Sequence, residues 1–115
     1  MAQGERLIGR SETLLDGGPG LRFEVHRGGE MLPAFAVRFR GAVHAYINEC
    51  RHQCTELDWN PGEFFDAERL YLVCATHGAL YQPDSGVCVE GPCRGARLSR
   101  VAVRERDGAV YCSEE

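Results

Sequence analysis

Glycine-centred turn signals recur along this chain at short intervals, and they leave room only for short secondary-structure elements between them. The sequence contains 14 glycines, and many stand beside Asp, Asn, Ser, Pro or a second glycine, the residues that favour tight turns. The 3.6-residue periodicity of an amphipathic helix is missing; its nearest approximation is a short segment between Phe64 and Arg69. The turn signals lie at residues 16–20, 27–29, 40–41, 60–62, 85–86 and 107–108. Short strands joined by tight turns are therefore the predicted architecture.

The segments between these turns alternate apolar and polar residues with a period of two, which is typical of strands with two unlike faces. We predict one hairpin from residues 35–40 and 43–48. A second hairpin is predicted from residues 98–104 and 109–112, with Asp107-Gly108 as its turn. Further strands are predicted at residues 21–26 and 70–73. The predicted fold class is all-β, a small antiparallel sandwich or barrel, and a length of 115 residues suits a single domain over residues 1–115.

The charge and hydropathy of the chain argue against two classes of partner. All 13 basic residues are arginines, and 17 acidic residues bring the formal net charge to −4. Nucleic acid is not an expected partner, because neutralising phosphates requires a basic surface. No apolar run approaches the ~20 residues of a membrane-spanning helix, and the first residues lack the apolar stretch of a secretory signal. We therefore expect a cytoplasmic protein without a membrane partner; nothing in the sequence indicates its oligomeric state.

The cysteine content points to metal binding. Six cysteines in a chain without a secretory signal are better explained by a metal site than by a disulfide framework. Two Cys–His pairs stand out: Cys50 with His52, and Cys74 with His77. Each pair offers one thiolate and one imidazole from a single short loop. Two sulfurs and two nitrogens suit a tetrahedral zinc ion, and they also suit a [2Fe–2S] cluster in which histidines replace two cysteines on one iron.

The residues that follow the second pair distinguish these possibilities. The two pairs and the sequence after them closely resemble the Rieske iron–sulfur signature, which combines Cys-x-His, Cys-x-x-His-Gly, a glycine-containing β-turn and a Gly-Pro loop. Here Gly78, Gly86 and Gly91-Pro92 follow the pairs in that order. The resemblance covers about residues 44–98.

The resemblance implies a Rieske-type β fold whose cluster-binding part consists of two loops, and it implies one [2Fe–2S] cluster per chain. In that arrangement Cys50 and Cys74 hold the inner iron, and His52 and His77 hold the outer iron near the protein surface. The glycine after His77 lets backbone approach the cluster, and the Gly-Pro loop covers the cluster and limits water access.

The spacer between the two pairs departs from the usual family pattern. Residues 53–73 form a longer connection than is common in the family, and Cys54 stands where family members often have glycine. Such an insertion is tolerable because the entropy of loop closure grows slowly with length. We expect Trp59, Phe64 and Phe65 to pack together as a small satellite core under this insertion.

Positions near the predicted cluster indicate a low reduction potential. High-potential respiratory members carry a disulfide and a serine donor; the corresponding positions here are Thr55, Thr76 and Ala79, and only Tyr81 matches. Fewer hydrogen bonds to sulfur stabilise the reduced state less. We therefore expect a potential toward the low end of the Rieske span of roughly −150 to +300 mV.

Functionally, the resemblance implies an electron-transfer protein rather than an enzyme: a Rieske-type ferredoxin that passes single electrons from a reductase to an oxygenase or similar acceptor. Two alternatives stay open, a small Rieske subunit of a larger oxidoreductase and a zinc-stabilised interaction domain. An acidic face near the cluster would steer a partner, although an ordinary solvated surface explains the same charges. Its candidate residues are Glu49, Glu56, Asp58, Glu63, Asp66 and Glu68.

We expect the remaining cysteines to pack in the protein interior or beside a loop, and the remaining histidines not to bind metal. Cys88 and Cys93 flank the Gly-Pro loop and are expected to pack beside it, while Cys112 alternates with an apolar neighbour and is expected in the core. His26 and His44 lie in predicted strands away from the ligand pairs, so we expect neither to bind metal.

Overall fold

The computed structural model describes residues 5–49, 56–58, 60–74, 78–92 and 94–113. Within these ranges the regular structure consists of one 3-10 helix, Ser11–Thr13, and nine strands. The same ranges contain no helix with the length and apolar character needed to cross a membrane. The strands are β1 (Glu5–Arg10), β2 (Leu21–Arg27), β3 (Glu30–Phe39), β4 (Ala42–Ile47), β5 (Leu72–Val73), β6 (Leu80–Tyr81), β7 (Cys88–Glu90), β8 (Val103–Arg106) and β9 (Ala109–Ser113).

The nine strands form three antiparallel sheets of three strands each, in the orders β1-β9-β8, β2-β3-β4 and β5-β6-β7. The predicted all-β antiparallel fold class is confirmed. Three hairpins close through two-residue turns in which both central residues have positive φ, the type I′ geometry that matches the twist of paired strands. These turns are Gly28-Gly29, Arg40-Gly41 and Asp107-Gly108, so the two predicted hairpins turn where the sequence indicated.

The sheet β2-β3-β4 is covered on both faces, and β3 contributes to both. Its residues Phe35 and Val37 point into one core, and Ala34 and Ala36 point into the other. What we call the first core, on the side of β5-β6-β7, contains Phe35, Val37, Tyr46, Leu57, Phe64, Leu72, Cys74, Ala79, Tyr81, Cys88 and Leu98. The second core, on the side of β1-β9-β8, contains Leu14, Val25, Ala34, Ala36, Ala45, Ile47, Val101, Val110 and Cys112. The predicted core position of Cys112 is confirmed.

The predicted strand over residues 98–104 is wrong in its first half. The strand β8 begins only at Val103, and residues 99–101 before it form hydrogen bonds with β4. Ile47 N–H donates to the carbonyl of Ser99 at 2.8 Å, and Val101 N–H donates to the carbonyl of Ala45 at 2.9 Å. This segment therefore ties β4 to the end of the chain. It also crosses from one core to the other, since Leu98 belongs to the first core and Val101 to the second.

The predicted strand over residues 70–73 is shorter in the structure. Only Leu72 and Val73 form β5, because the chain bends at the two preceding residues. The Asp66 carboxylate accepts hydrogen bonds from the backbone N–H of Leu70 at 2.9 Å and of Tyr71 at 3.2 Å. Three strands had no prediction at all, namely β1, β6 and β7.

The spacer between the two ligand pairs is part of the first core, and the satellite core predicted for it is wrong in this respect. Phe64 is fully buried, and its ring stacks on Phe35 with centroids 4.0 Å apart and an interplanar angle of 12°. Phe65 is partly buried, packs against the first core and stacks on Phe39 at 6.2 Å. No helical turn follows Phe64; the next residue instead forms an isolated β-bridge with Leu72. Trp59 lies outside the described residues.

Candidate metal centre

Of the four predicted ligands, the structure describes Cys74. Cys50, His52 and His77 lie outside the described residues, as do Cys54 and Cys93, so the complete ligand set stays a prediction. The described residues contain no group of three or more His, Cys, Asp or Glu side chains placed to hold a metal ion. The predicted first ligand loop carries Cys50 and His52, and the predicted second ligand loop runs from Cys74 to Gly78. The segments on either side of both loops are described.

The second ligand loop is the turn of the β5–β6 hairpin. Val73 of β5 pairs with Leu80 of β6, and directly beyond this pair the N–H of Cys74 donates to the carbonyl of Ala79 at 2.9 Å. The N–H of Gly78 then donates to the carbonyl of Cys74 at 2.7 Å. These two bonds bring the ends of the loop together, so residues 75–77 connect two positions that the hairpin already holds side by side.

Burial changes sharply across this loop. Cys74 is 0% exposed and belongs to the first core, whereas Gly78, four positions later, is exposed. A thiolate at the buried end has apolar surroundings, and a ligand next to Gly78 is adjacent to solvent-exposed backbone. The donor chemistry and the burial gradient thus fit a [2Fe–2S] cluster with an inner cysteine and an outer histidine from one loop.

Gly78 adopts a left-handed backbone conformation with φ of 75°. No atom of the described chain lies within 4 Å of the position that a Cβ would take there. The structure therefore explains this glycine by its backbone conformation, which side chains with a Cβ rarely adopt. Its expected second role, letting backbone approach a cluster, stays a prediction.

The Gly-Pro loop lies directly against the second ligand loop. Gly91 has φ of 109°, and a Cβ at this position would lie 2.8 Å from Ala79 Cα and 3.1 Å from Ala79 Cβ. This approach is closer than real Cβ contacts, so only glycine fits without a shift. The N–H of Arg94 donates to the carbonyl of Gly91 at 3.2 Å and closes the loop. The expected role of this loop in covering the cluster stays a prediction.

The first ligand loop is bracketed by a buried polar network that the sequence did not reveal. Asn48 follows β4, and its Oδ1 accepts a hydrogen bond from Leu57 N–H at 2.8 Å while its Nδ2 donates to Asp58 Oδ1 at 3.0 Å. Asp58 Oδ2 accepts the N–H of Gly62 at 2.9 Å. Asn48 ends the strand predicted over residues 43–48, in which apolar and polar residues alternate, and yet its side chain is buried. Its position two residues before the predicted ligand Cys50 was the only available signal.

This network changes the expected acidic face. The Asp58 side chain is completely buried, and Arg22 Nε lies 3.4 Å from its Oδ2. The same guanidinium donates to Glu56 Oε1 at 2.8 Å. Two of the six acidic residues therefore lie beside a cation, and one of them does not reach the surface. The acidic face is correspondingly weaker than the sequence count suggested.

The structure also describes the remaining cysteine and histidines that the sequence analysis discussed, namely Cys88, His26 and His44. Cys88 is buried at the start of β7, and its Sγ lies 3.2 Å from the carbonyl oxygen of Glu90. His26 is exposed on β2. His44 is half-buried on β4, where burial and, secondarily, the charge of Arg100 lower its pKa.

Solved structures with the same fold come from carbazole 1,9a-dioxygenase. Its ferredoxin from Nocardioides aromaticivorans IC177 is similar with a TM-score of 0.72 and 21% identity, over 96% of this chain and 98% of that one. A chain from the complex of reduced oxygenase and oxidised ferredoxin matches with a TM-score of 0.74 and 20% identity, over 99% and 96% of the two chains. The terminal oxygenase from the Nocardioides strain matches with a TM-score of 0.73 and 19% identity, over 98% of this chain but 30% of its own. At such identities the similarity establishes the fold.

No curated protein is significantly similar in sequence. Residues 7–105, however, match the Rieske [2Fe-2S] domain family. This range includes both predicted ligand pairs and the Gly-Pro loop, and the match confirms the resemblance, the Rieske-type fold and the [2Fe–2S] cofactor. Since it spans most of the 115 residues, the chain belongs to the Rieske [2Fe-2S] domain family.

Proposed function

We propose that this protein is a Rieske-type ferredoxin that carries one electron at a time from a reductase to an oxygenase-type acceptor. Its domain family is an electron-transfer module and not a catalytic one. In this proposal residues 1–115 form a single cytoplasmic domain. The cluster ligands are Cys50 and Cys74 on the inner iron and His52 and His77 on the outer iron.

The donor set explains why such a site accepts an electron readily. The bound cluster supplies one-electron redox chemistry, and its ease of reduction depends on the charge of its ligands. Two thiolates and two neutral imidazoles contribute two negative charges, whereas four thiolates would contribute four. A less negative site gains an electron at lower cost, so this ligand set supports a higher potential than that of a four-cysteine ferredoxin.

The observation that carries the proposal is the burial gradient across the second ligand loop. Cys74 sits in the first core, where apolar side chains exclude water, and Gly78 beside His77 is exposed. A cluster held by Cys74 and His77 would be shielded from solvent at the cysteine end and would lie next to exposed backbone at the histidine end. The Gly91–Ala79 contact adds shielding from a second loop.

The class of acceptor is supported by the structural relatives. A ferredoxin of carbazole 1,9a-dioxygenase shares the fold over nearly the full length of both chains. Another similar chain comes from a complex of reduced oxygenase and oxidised ferredoxin. The reductase is proposed because a carrier needs a donor as well as an acceptor.

The cluster assignment is tested by purifying the protein anaerobically, assaying iron and acid-labile sulfide, and recording EPR spectra after dithionite reduction. We expect about two irons and two sulfides per chain and an anisotropic Rieske-type signal. Cys74→Ala should lose the cluster, while Cys112→Ala, at an equally buried position in the second core, should keep it. A colourless wild-type protein with one zinc would contradict the proposal and favour a zinc-stabilised domain.

The carrier role is tested by mixing the reduced protein with an oxidised oxygenase of the carbazole 1,9a-dioxygenase type. Rapid reoxidation in stopped-flow absorbance is expected, with a rate that saturates as the acceptor concentration rises. Reoxidation no faster than in buffer, together with stable co-elution with a larger protein from its own cells, would point instead to a permanent Rieske subunit.

A further inference from the structure

Two buried polar side chains hold together the chain segments on either side of the first ligand loop. Asn48 and the Asp58 side chain are essentially inaccessible to solvent. Their mutual hydrogen bond, Asn48 Nδ2 to Asp58 Oδ1 at 3.0 Å, joins the end of β4 to the first residues described after the loop. The residues between them include Cys50 and His52, two of the four proposed ligands.

The bonds around this pair reach three separate segments. The backbone N–H of Asn48 donates to the carbonyl of Pro33 on β3 at 2.8 Å, which anchors the near end. Its Oδ1 accepts Leu57 N–H at 2.8 Å, which anchors the far end. Asp58 Oδ2 accepts Gly62 N–H at 2.9 Å and lies 3.4 Å from Arg22 Nε. The loop that carries Cys50 and His52 thus begins and ends at points that these bonds hold in place.

Apolar side chains would fill this space but would not fix these distances. Burying an amide and a carboxylate is costly unless their polar atoms find partners, and here the amide and both carboxylate oxygens do so. A fully satisfied buried network selects one arrangement of the backbone, because alternatives leave polar atoms unpaired. Such a network is therefore suited to holding a ligand loop in one geometry.

We propose that Asn48 and Asp58 act as a positioning pair, which fixes the two ends of the first ligand loop and thereby determines how firmly the cluster is retained. Neither residue is a ligand in this proposal; both act through the backbone that carries Cys50 and His52. The inference rests on the proposed function, since it assumes that this loop provides two of the cluster ligands.

Near-isosteric substitutions test the pair. In Asp58→Asn, the new amide N–H₂ faces either Asn48 Nδ2 or the N–H of Gly62, so a donor meets a donor. In Asn48→Asp, a carboxylate oxygen meets Asp58 Oδ1, so two acceptors of like charge meet. The double variant N48D/D58N restores the hydrogen bond between the two side chains, with its direction reversed, and the bonds from Leu57 and Gly62. It keeps the total charge unchanged but moves the carboxylate from position 58, beside Arg22, to position 48.

Asp16→Asn is the matched control. The Asp16 carboxylate also accepts two backbone hydrogen bonds, from Arg40 N–H at 2.8 Å and Gly41 N–H at 2.6 Å. It does so at the opposite end of β4, away from the ligand loop. Asp16 is exposed, and its substitution weakens two carboxylate–backbone hydrogen bonds at the turn between β3 and β4 without touching the proposed positioning pair.

The first measurement is the rate at which the loaded protein releases iron to an excess of chelator, followed by the loss of visible absorbance. Removing partners that orient metal ligands typically costs 10–100-fold in metal affinity, so each single variant should release iron about tenfold faster than wild type. The rate of iron release from the double variant should fall most of the way back to the wild-type rate. The rate for Asp16→Asn should stay close to that of wild type.

Two further readouts separate positioning from general stability. The EPR signal of the reduced single variants should shift or broaden. The signal of Asp16→Asn should not, when the proteins are compared under conditions that give them the same free energy of unfolding. Hydrogen exchange of the Leu57 and Gly62 amides should accelerate in the single variants and slow again in the double variant.

Single variants that release iron no faster than Asp16→Asn would overturn the proposal. A double variant as labile as the singles, or unable to fold, would overturn it as well. Single variants that fail to load while the double variant loads would support it. If wild type itself holds no iron, the proposed function fails instead, and the two amides still report whether the network exists.

Discussion

Tyr46 donates its phenolic hydroxyl to the carbonyl oxygen of Pro83 at 2.7 Å, and this buried bond joins the strand before the first ligand loop to the turn after the second. Arg100 reinforces the junction: its guanidinium lies 5.2 Å from the centre of the Tyr46 ring and donates to the carbonyl of Asp84 at 2.6 Å. The supports of the two ligand loops are therefore connected directly and do not depend only on the core beneath them.

Tyr46→Phe tests this junction. Removing the hydroxyl leaves the Pro83 carbonyl without its donor, so the free energy of unfolding should fall by about 1–3 kcal/mol in denaturant titrations. Burial also raises the pKa of Tyr46 to about 12. Because the folded state holds this proton more tightly than the unfolded state does, wild-type stability should decrease as pH rises from about 10 to about 12. The Phe variant should show a smaller decrease over that interval; an identical decrease would contradict this assignment.

Gly91→Ala tests the contact between the Gly-Pro loop and the second ligand loop. The new Cβ would lie 2.8 Å from Ala79 Cα, so the loop must move and uncover the site. Iron release to a chelator should accelerate. Gly95→Ala is the control, since Gly95 has a similar φ of 93° but no neighbour within 4 Å of the new Cβ. In both variants the free energy of unfolding should fall by about 1–2 kcal/mol because of backbone strain. Equal rates of iron release from the two variants would show that the contact does not shield the cluster.

Phe64→Ala tests whether the long spacer belongs to the core. Phe64 is fully buried against Phe35, so its truncation should cost about 3–5 kcal/mol in the free energy of unfolding. Leu70→Ala, in the same spacer but exposed, should change stability by less than about 0.5 kcal/mol. Similar small losses for both would mean that the spacer packs only loosely.

Ala79→Ser tests the expectation of a low potential. A serine at this position offers a hydroxyl donor to the cluster, as in the high-potential respiratory members, and hydrogen bonds to sulfur stabilise the reduced state. Mediated redox titration should give a low wild-type potential and a higher one for the variant. Ala45→Ser, an equally buried alanine in the second core, should leave the potential unchanged. A wild-type value well above zero would contradict the expectation.

Features set by neighbouring residues were predictable from the sequence, and features set by distant ones were not. The turn at Asp107-Gly108 follows from two adjacent residues that tolerate positive φ. The burial of Asn48 and Asp58 depends on partners that the fold brings together across a loop, and hydropathy assigns both to the surface. The local sequence groups Phe64 with its neighbours in a satellite core. Its stacking partner, Phe35, lies 29 positions earlier in the chain, and no local pattern connects the two residues. The prediction of the ligand pairs rests on the spacing within each pair, which is local.

The two faces of β3 have a consequence for protein engineering. The part that carries the family signature, about residues 44–98, does not include this strand. A transplant of that part onto another scaffold would leave behind Phe35 and Val37, which form one wall of the first core. The host would have to supply an apolar strand in the same place, with an aromatic ring to receive Phe64. Ligand loops of this kind are portable only together with the sheet on which they rest.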